Sequence, residues 1–433
     1  MASPILQYFL LSITMIHMIS ISSGQPSFRP SALIVPVTKD SSTNQYVTKL
    51  NQRTPLVPIN LVLDLGGRYL WLDCDTNYVS STYRPVPCNS AQCNLARSNG
   101  CGTCSGPSRP GCNKNTCGVT PDNTVTRTVT GGELAEDVIS LNSTNGSNPG
   151  RAVQVNRFIF SCAQPFLLQG LAKGASGMAG LGRTRVSLPA QFSSAFSFHR
   201  KFAICLSSGT GVAIFGDGPY FLQPGMEISA SLTYTPLFLN PVSTSNAFVN
   251  GEPSADYFIG VRSIKVDGTT VPVNSSLLRI DSKGNGGTKI STVNPYTVLE
   301  SSIFKAVTDA YVKAATARNI TRVAAVAPFD VCFSSKNVFV TRLGWAVPWV
   351  TLGLQNENVR WDIVGSNLIV QPNDQTLCLG FLDGGSNSRT SIVIGAFQIE
   401  DNLLQFDLAA SRLGFSFSLL GRRTTCANFN FTQ

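Results

Sequence analysis

The sequence predicts a mainly β protein made of two similar halves, with few and short helices. Three observations carry this. Hydrophobic residues make up 43% of the 433 residues and charged residues only 13%, a balance that supports a large packed core and excludes a disordered chain. Thr, Val, Ser, Asn and Gly recur throughout while helical periodicity is rare, which favours strands and turns. An apolar strand entering a special turn, answered much later by an apolar-apolar-Gly segment, occurs twice. The length suffices for two or three ordinary domains.

Taken in chain order, residues 1–24 read as an export signal, cleaved between positions 20 and 24. Ile5 to Ile19 is mainly apolar and Ser20 to Gly24 supplies small residues, with no Lys or Arg ahead of the run. The competing reading is a membrane anchor, but the run is too short and soon meets Gln25 and Pro26,. No later stretch is apolar for long enough to span a bilayer,. The mature chain divides into a first lobe over residues 25–225 and a second over 226–433, meeting near Pro219 to Asn240.

In the first lobe, Leu61-Val62-Leu63-Asp64-Leu65-Gly66-Gly67 is an apolar strand running into a Gly turn. Gly177-Met178-Ala179-Gly180-Leu181-Gly182 follows about 116 residues later. In the second, Thr288-Lys289-Ile290-Ser291-Thr292-Val293 is followed about 104 residues later by Ile392-Val393-Ile394-Gly395. Two helices stand out. Ser187 to Phe196 carries Pro189 early. Val298 to Asn319 places Leu299, Ile303, Val307, Ala310, Tyr311 and Ala314 near a 3.6-residue period, with Thr297 and Glu300 as a capping box behind Pro295,.

Twelve cysteines follow the signal: Cys74, Cys88, Cys93, Cys101, Cys104, Cys112, Cys117, Cys162, Cys205, Cys332, Cys378 and Cys426. The cluster Cys101-x2-Cys104-x7-Cys112-x4-Cys117 is superficially zinc-like, but in an exported chain it predicts a disulfide-stapled loop. No metal or cofactor is expected. Sequons at Asn142, Asn145, Asn274, Asn319 and Asn430 agree with export,. The net charge of +9 attracts an anionic polysaccharide or an acidic protein. Nucleic acid is the least suitable partner, because no dense Lys/Arg run carries interleaved aromatics. His17 lies in the signal, leaving His199, a surface or loop residue, as the sole histidine of the mature chain. That removes Ser-His-Asp, Cys-His and HExxH chemistry.

These features together resemble the pepsin-like aspartic peptidases. The match lies in Leu63-Asp64-Leu65-Gly66 with Trp71 downstream, in Ile394-Gly395-Ala396-Phe397, and in Leu404-Gln405-Phe406-Asp407 and Arg412-Leu413-Gly414-Phe415. The run Gly286-Gly287-Thr288-Lys289-Ile290-Ser291-Thr292-Val293-Asn294-Pro295-Tyr296-Thr297-Val298-Leu299 is similar to the plant inhibitor branch of that fold. The branch holds xylanase inhibitors, xyloglucan-specific endoglucanase inhibitors, extracellular dermal glycoproteins and legume basic globulins. The resemblance implies a bilobal pepsin-like aspartic peptidase fold of two similar β-barrel-like lobes. It also implies the pairs Cys332–Cys378 and Cys205–Cys426, with Cys74–Cys162 as a third.

The same resemblance implies a dismantled active site. Two carboxylates that share a proton are needed to act as acid and base. Asp64 matches the first, but Ser291 stands where the family carries the second. A rival alignment uses Asp281-Ser282-Lys283-Gly284, although Lys283 breaks that motif. Leu65 replaces a hydroxyl that braces the catalytic loop; Pro121-Asp122-Asn123, before Thr130-Gly131-Gly132-Glu133-Leu134-Ala135, resembles the flap hairpin, and Thr120 stands where its tyrosine would be. Losing one acid-base group costs about 10²–10⁴ in rate. The implied function is inhibition of a microbial endoglucanase or xylanase by arginines on rigid loops, Arg423 and Arg342 first and Arg422 beside them. A monomeric extracellular protein of the apoplast or cell wall is expected. The alternatives are a receptor-like protein binding a small peptide or polysaccharide, and a residual acid peptidase using Asp64 and Asp281.

Overall fold

Strand alternation and two glycine-gated crossings organise the molecule. A computed structural model describes residues 28–98, 100–247 and 251–432. The signal at residues 1–24 lies outside them. Within Ser31–Gln433, one compact unit, most strands join a single branched sheet system.

Tyr46–Gln52 alternates buried and exposed residues, and its antiparallel neighbour Val57–Asp64 starts half-exposed and ends fully buried. Val57–Asp64 thus dives from the surface into the core and delivers Asp64 there. The repeat seen in the sequence is a pairing in space. Leu61 to Asp64 lies parallel to Gly177–Gly180, and Thr288–Ile290 lies parallel to Ile392–Ile394. Glycine at 177 is sterically required, since a Cβ there would meet the Trp71 carbonyl oxygen at 1.9 Å.

The two halves are stitched by backbone. Lys201–Cys205 of the first half pairs with Leu403–Asp407 of the second, and that sheet continues through Arg412–Phe415 to Thr233–Phe238. One apolar core includes Leu33, Phe160, Phe202, Ile290, Phe406 and Phe415. Six disulfides add covalent ties: Cys74–Cys162, Cys88–Cys101, Cys93–Cys117, Cys104–Cys112, Cys205–Cys426 and Cys332–Cys378. The cysteine-rich loop is therefore disulfide-stapled, and the three pairs that the resemblance implied are present.

The short helix is Leu188–Phe196, with Ser197 left-handed at its end. The long helix differs from expectation. It runs Ser301–Ala317 and buries Ile303, Phe304, Val307, Tyr311 and Ala315. Thr297–Leu299 is instead a strand, paired with Ile392–Ile394 and Phe381–Asp383. The capping box does not form. Glu300 is itself the cap, its carboxylate accepting the N–H groups of Ser302 and Ile303. The Thr297 hydroxyl donates to Gln398 Oε1 at 2.9 Å. The apolar side chains of Val298 and Leu299 thus serve a strand, because two neighbouring strands offered hydrogen bonds that a helix start would forgo.

Candidate functional site

Asp64 ends its strand buried at the floor of a cleft of about 720 Å³. Its Oδ1 accepts the Gly66 N–H at 2.9 Å and its Oδ2 accepts the Thr124 hydroxyl at 2.8 Å. Burial pushes the carboxyl up to about 7; the Thr124 and Gly66 bonds pull it down, while the Asp122 and Asp256 charges push it up,. Thr124 tops the hairpin in which Asp122–Asn123 pairs with Thr128–Val129. The Trp71 indole N–H donates to the Asp122 carbonyl at 2.9 Å and ties that hairpin to the sheet. Thr120 lies beside the buried Tyr69, and the hydroxyl of this hairpin that reaches the carboxylate is that of Thr124.

Leu65 is fully buried and its N–H donates to Thr292 Oγ1 at 3.1 Å. Thr292 in turn donates to the Leu63 carbonyl at 2.6 Å. The second half therefore braces the Asp64 loop through a hydroxyl, while residue 65 returns only packing. Ser291 is occupied locally. Its hydroxyl donates to Asn294 Oδ1 at 2.9 Å and accepts the Asn294 N–H at 3.1 Å.

A carboxylate nevertheless stands near that position. The Tyr257–Ile259 strand pairs antiparallel with Thr288–Ile290, Tyr257 opposite Ile290, and Asp256 precedes it. A Cβ on Gly66 would lie 2.1 Å from Asp256 Oδ1 and 3.6 Å from Asp64 Oδ1. The two carboxylates thus flank one glycine, and a Cβ there would have to push the Asp256 carboxylate aside. Asp256 Oδ2 takes an ion pair from Lys289 Nζ at 2.9 Å, with only 12% and 20% of the side chains exposed. A third acid, Asp122, is raised by burial and accepts Ser245 Oγ at 3.0 Å. Asp256 and the Lys289 pairing were missed in the sequence. A lysine within an apolar strand that enters the core was the available signal, since it requires a buried anion.

Asp281 is elsewhere. It caps an exposed turn, accepting the N–H groups of Lys283 and Asn285 at 2.8 Å each. The alignment that made it a second active-site acid is therefore excluded; a short polar side chain two residues before a Lys-Gly turn served the turn itself.

Comparison with known proteins places the chain. A family model described as xylanase inhibitor N-terminal matches residues 46–217, and one described as xylanase inhibitor C-terminal matches residues 256–417. The chain belongs to the xylanase inhibitor family. It is 61% identical over 417 residues to a "Probable aspartic proteinase GIP2" of Nicotiana benthamiana, covering 95% of this chain and 94% of that one. It is 39% identical to a "Basic 7S globulin" of Glycine max over the whole of both chains. A crystal structure named edgp superposes with a TM-score of 0.93 at 64% identity, covering 94% of this chain and all of that one. The fold is pepsin-like, as the resemblance implied.

The three arginines singled out in the sequence lie outside the Asp64 cleft. Arg342 sits in the turn between Val340–Thr341 and Gly344–Trp345. Arg422 ends the short turn Leu419–Arg422, and Arg423 follows in the left-handed region at φ 60°. The disulfide at Cys426 and the bond from its N–H to Asp401 Oδ1 at 2.8 Å anchor that loop. The two loops are neighbours, because a Cβ at Gly421 would lie 3.6 Å from Leu343 Cδ2. All three arginines are exposed. Beside them stand exposed Phe339, Val340, Trp349 and Phe417, with the Trp349 and Phe417 rings 6.3 Å apart.

Of the sequons, Asn145, Asn274, Asn319 and Asn430 are exposed, while Asn142 is half-buried in a strand paired on both sides. His199 is exposed, its Nδ1 2.9 Å from Asp217 Oδ2. Among the described residues, no helix is long and apolar enough to cross a membrane.

Proposed function

We propose that the chain is a secreted, catalytically inactive relative of the aspartic peptidases that inhibits a microbial cell-wall-degrading glycoside hydrolase. The target class is a xyloglucan-specific endo-β-1,4-glucanase of the family-twelve type, with a xylanase next. One observation carries the reading: Arg342 and Arg423 project from two adjacent, disulfide-anchored or hairpin-held turns within a patch of exposed aromatic residues. A retaining glycosidase presents two carboxylates about 5 Å apart in its cleft. Planar guanidiniums pair with such groups through charge-assisted bonds. The aromatic residues supply the anchors of an interface core, and the net charge of +9 steers the protein toward an acidic cleft. A stable complex of this kind buries about 1,200–2,000 Å².

The same cleft supports the inactive reading. Residue 291 has no carboxyl to share a proton with Asp64, and the nearby Asp256 is neutralised by Lys289,. Six disulfides suit an oxidising compartment,, and four exposed sequons suit glycosylation,. The test is an inhibition assay against a panel of xyloglucanases and xylanases. Stoichiometric inhibition of one glycanase is expected, with Arg342→Ala and Arg423→Ala each weakening it by about 2 kcal/mol or more. Unchanged inhibition constants in both variants would remove these arginines from the contact. Casein cleavage at acid pH that Asp64→Asn abolishes would overturn the inactive reading.

A further inference from the structure

Away from the cleft and the arginine loops, positive charge gathers at one further cavity, of about 270 Å³. Its walls carry Arg68, Arg97, Arg183, Arg185 and Arg200 against a single carboxylate, Glu252. Glu252 is already spent on Arg68, at 2.7 Å with both side chains nearly buried. Among the described residues, the other four guanidiniums have no ion-pair partner. Arg183 donates from Nη1 to the Phe238 carbonyl at 3.1 Å. Arg97, Arg185 and Arg200 are exposed around it. Burial, with the Arg200 charge beside it, holds Arg183 below its ordinary pKa, against the pull of Tyr257. Four like charges crowded around one concavity repel one another, and an anion placed among them relieves that repulsion.

The chemistry of the lining narrows the ligand. Every cation is an arginine, whose planar fork fits carboxylates better than a point charge does. The cavity is smaller than the roughly 300–1,000 Å³ of a drug-sized ligand site, which admits one or two sugar rings. Leu95 and Leu239 contribute exposed apolar surface to the same walls, a surface suited to the C–H face of a pyranose. Three exposed arginines at the rim continue the charge outside the cavity, which favours a chain of repeating acids over a lone ion.

We propose that this cavity binds a linear polyuronate, with ring carboxylates paired to Arg183 and the rim arginines and ring faces resting on Leu95 and Leu239. The site shares no residue with the glycanase-facing loops, so it stands or falls independently of them. Calorimetric titration of the full-length protein with an oligogalacturonate of defined length tests it, alongside the methyl-esterified oligomer and poly-L-glutamate of matched charge. The expected result is binding of the oligogalacturonate at least ~10-fold tighter than either control. Combining Arg97→Ala with Arg200→Ala should weaken that binding ~10-fold or more without changing glycanase inhibition, and Arg423→Ala should leave it intact. Equal affinity for poly-L-glutamate would reassign the cavity to acidic peptides. Undiminished binding of the methyl ester, or of the oligogalacturonate by the double variant, would overturn the proposal.

Discussion

Replacing Asp64 by Asn should remove a pH dependence from the stability of the fold. Burial raises the Asp64 carboxyl from 3.8 to about 7. The folded protein therefore keeps a proton that the unfolded chain releases above about pH 4. Stability from this group is fully present below the unfolded pKa and is lost as pH rises through about 7. At ~1.36 kcal/mol for each pH unit, the ceiling on that loss is about 4 kcal/mol. The replacing carboxamide is nearly isosteric, and its carbonyl oxygen can still accept the Gly66 N–H. Asp122 and Asp401 are also raised by burial, Asp401 to about 6, so the wild-type curve should fall further than Asp64 alone requires. The difference between the two proteins isolates Asp64. Urea unfolding with disulfides intact, at about pH 4, 6 and 8, measures it. The curves should meet at the acid end and separate toward neutrality, Asp64→Asn becoming the more stable by up to about 4 kcal/mol. Parallel curves would refute the assignment of a buried, proton-holding Asp64.

Other perturbations follow from the same cleft and its supports. Lys289→Met strands the Asp256 carboxylate, and should cost about 2–3 kcal/mol at neutral pH, most of it recovered when Asp256→Asn is added; urea midpoints of the single and double variants decide this. Gly66→Ala drives a methyl into Asp256 Oδ1, at 2.1 Å before relaxation, and should cost about 1–3 kcal/mol in thermal unfolding. Removing the Cys205–Cys426 bridge, which spans 221 residues, with Ala at both positions should cost about 2–5 kcal/mol. It should also weaken glycanase inhibition by loosening the Arg423 loop.

Much of this architecture was legible because it rests on local rules. The apolar-apolar-Gly segments announce strands threaded past another backbone, and Gly177 has no room for a Cβ. The periodicity of the long helix located it correctly in the chain. Its first turn was misassigned because Val298 and Leu299 fit a buried strand as well as a helix, and only the partners Phe381–Asp383 and Ile392–Ile394 decide between them. The site divides the same way. Asp64, Leu65 and Ser291 could be named from motif position alone. Thr124 and Asp256 could not, because hairpin closure brings one and the ladder opposite Ile290 brings the other. The arginine turns were each visible, but their adjacency through Leu343 and Gly421 is a tertiary fact.

The Lys289–Asp256 pair also bears on what this cleft can accept. Here Ser291→Asp would put a new acid beside Asp64 and Asp256, while the ammonium of Lys289 is already committed. The change would add repulsion among buried anions before it restored any acid-base partnership. The Lys289–Asp256 ion pair thereby makes residue 291 a costly place for another carboxylate in this cleft,.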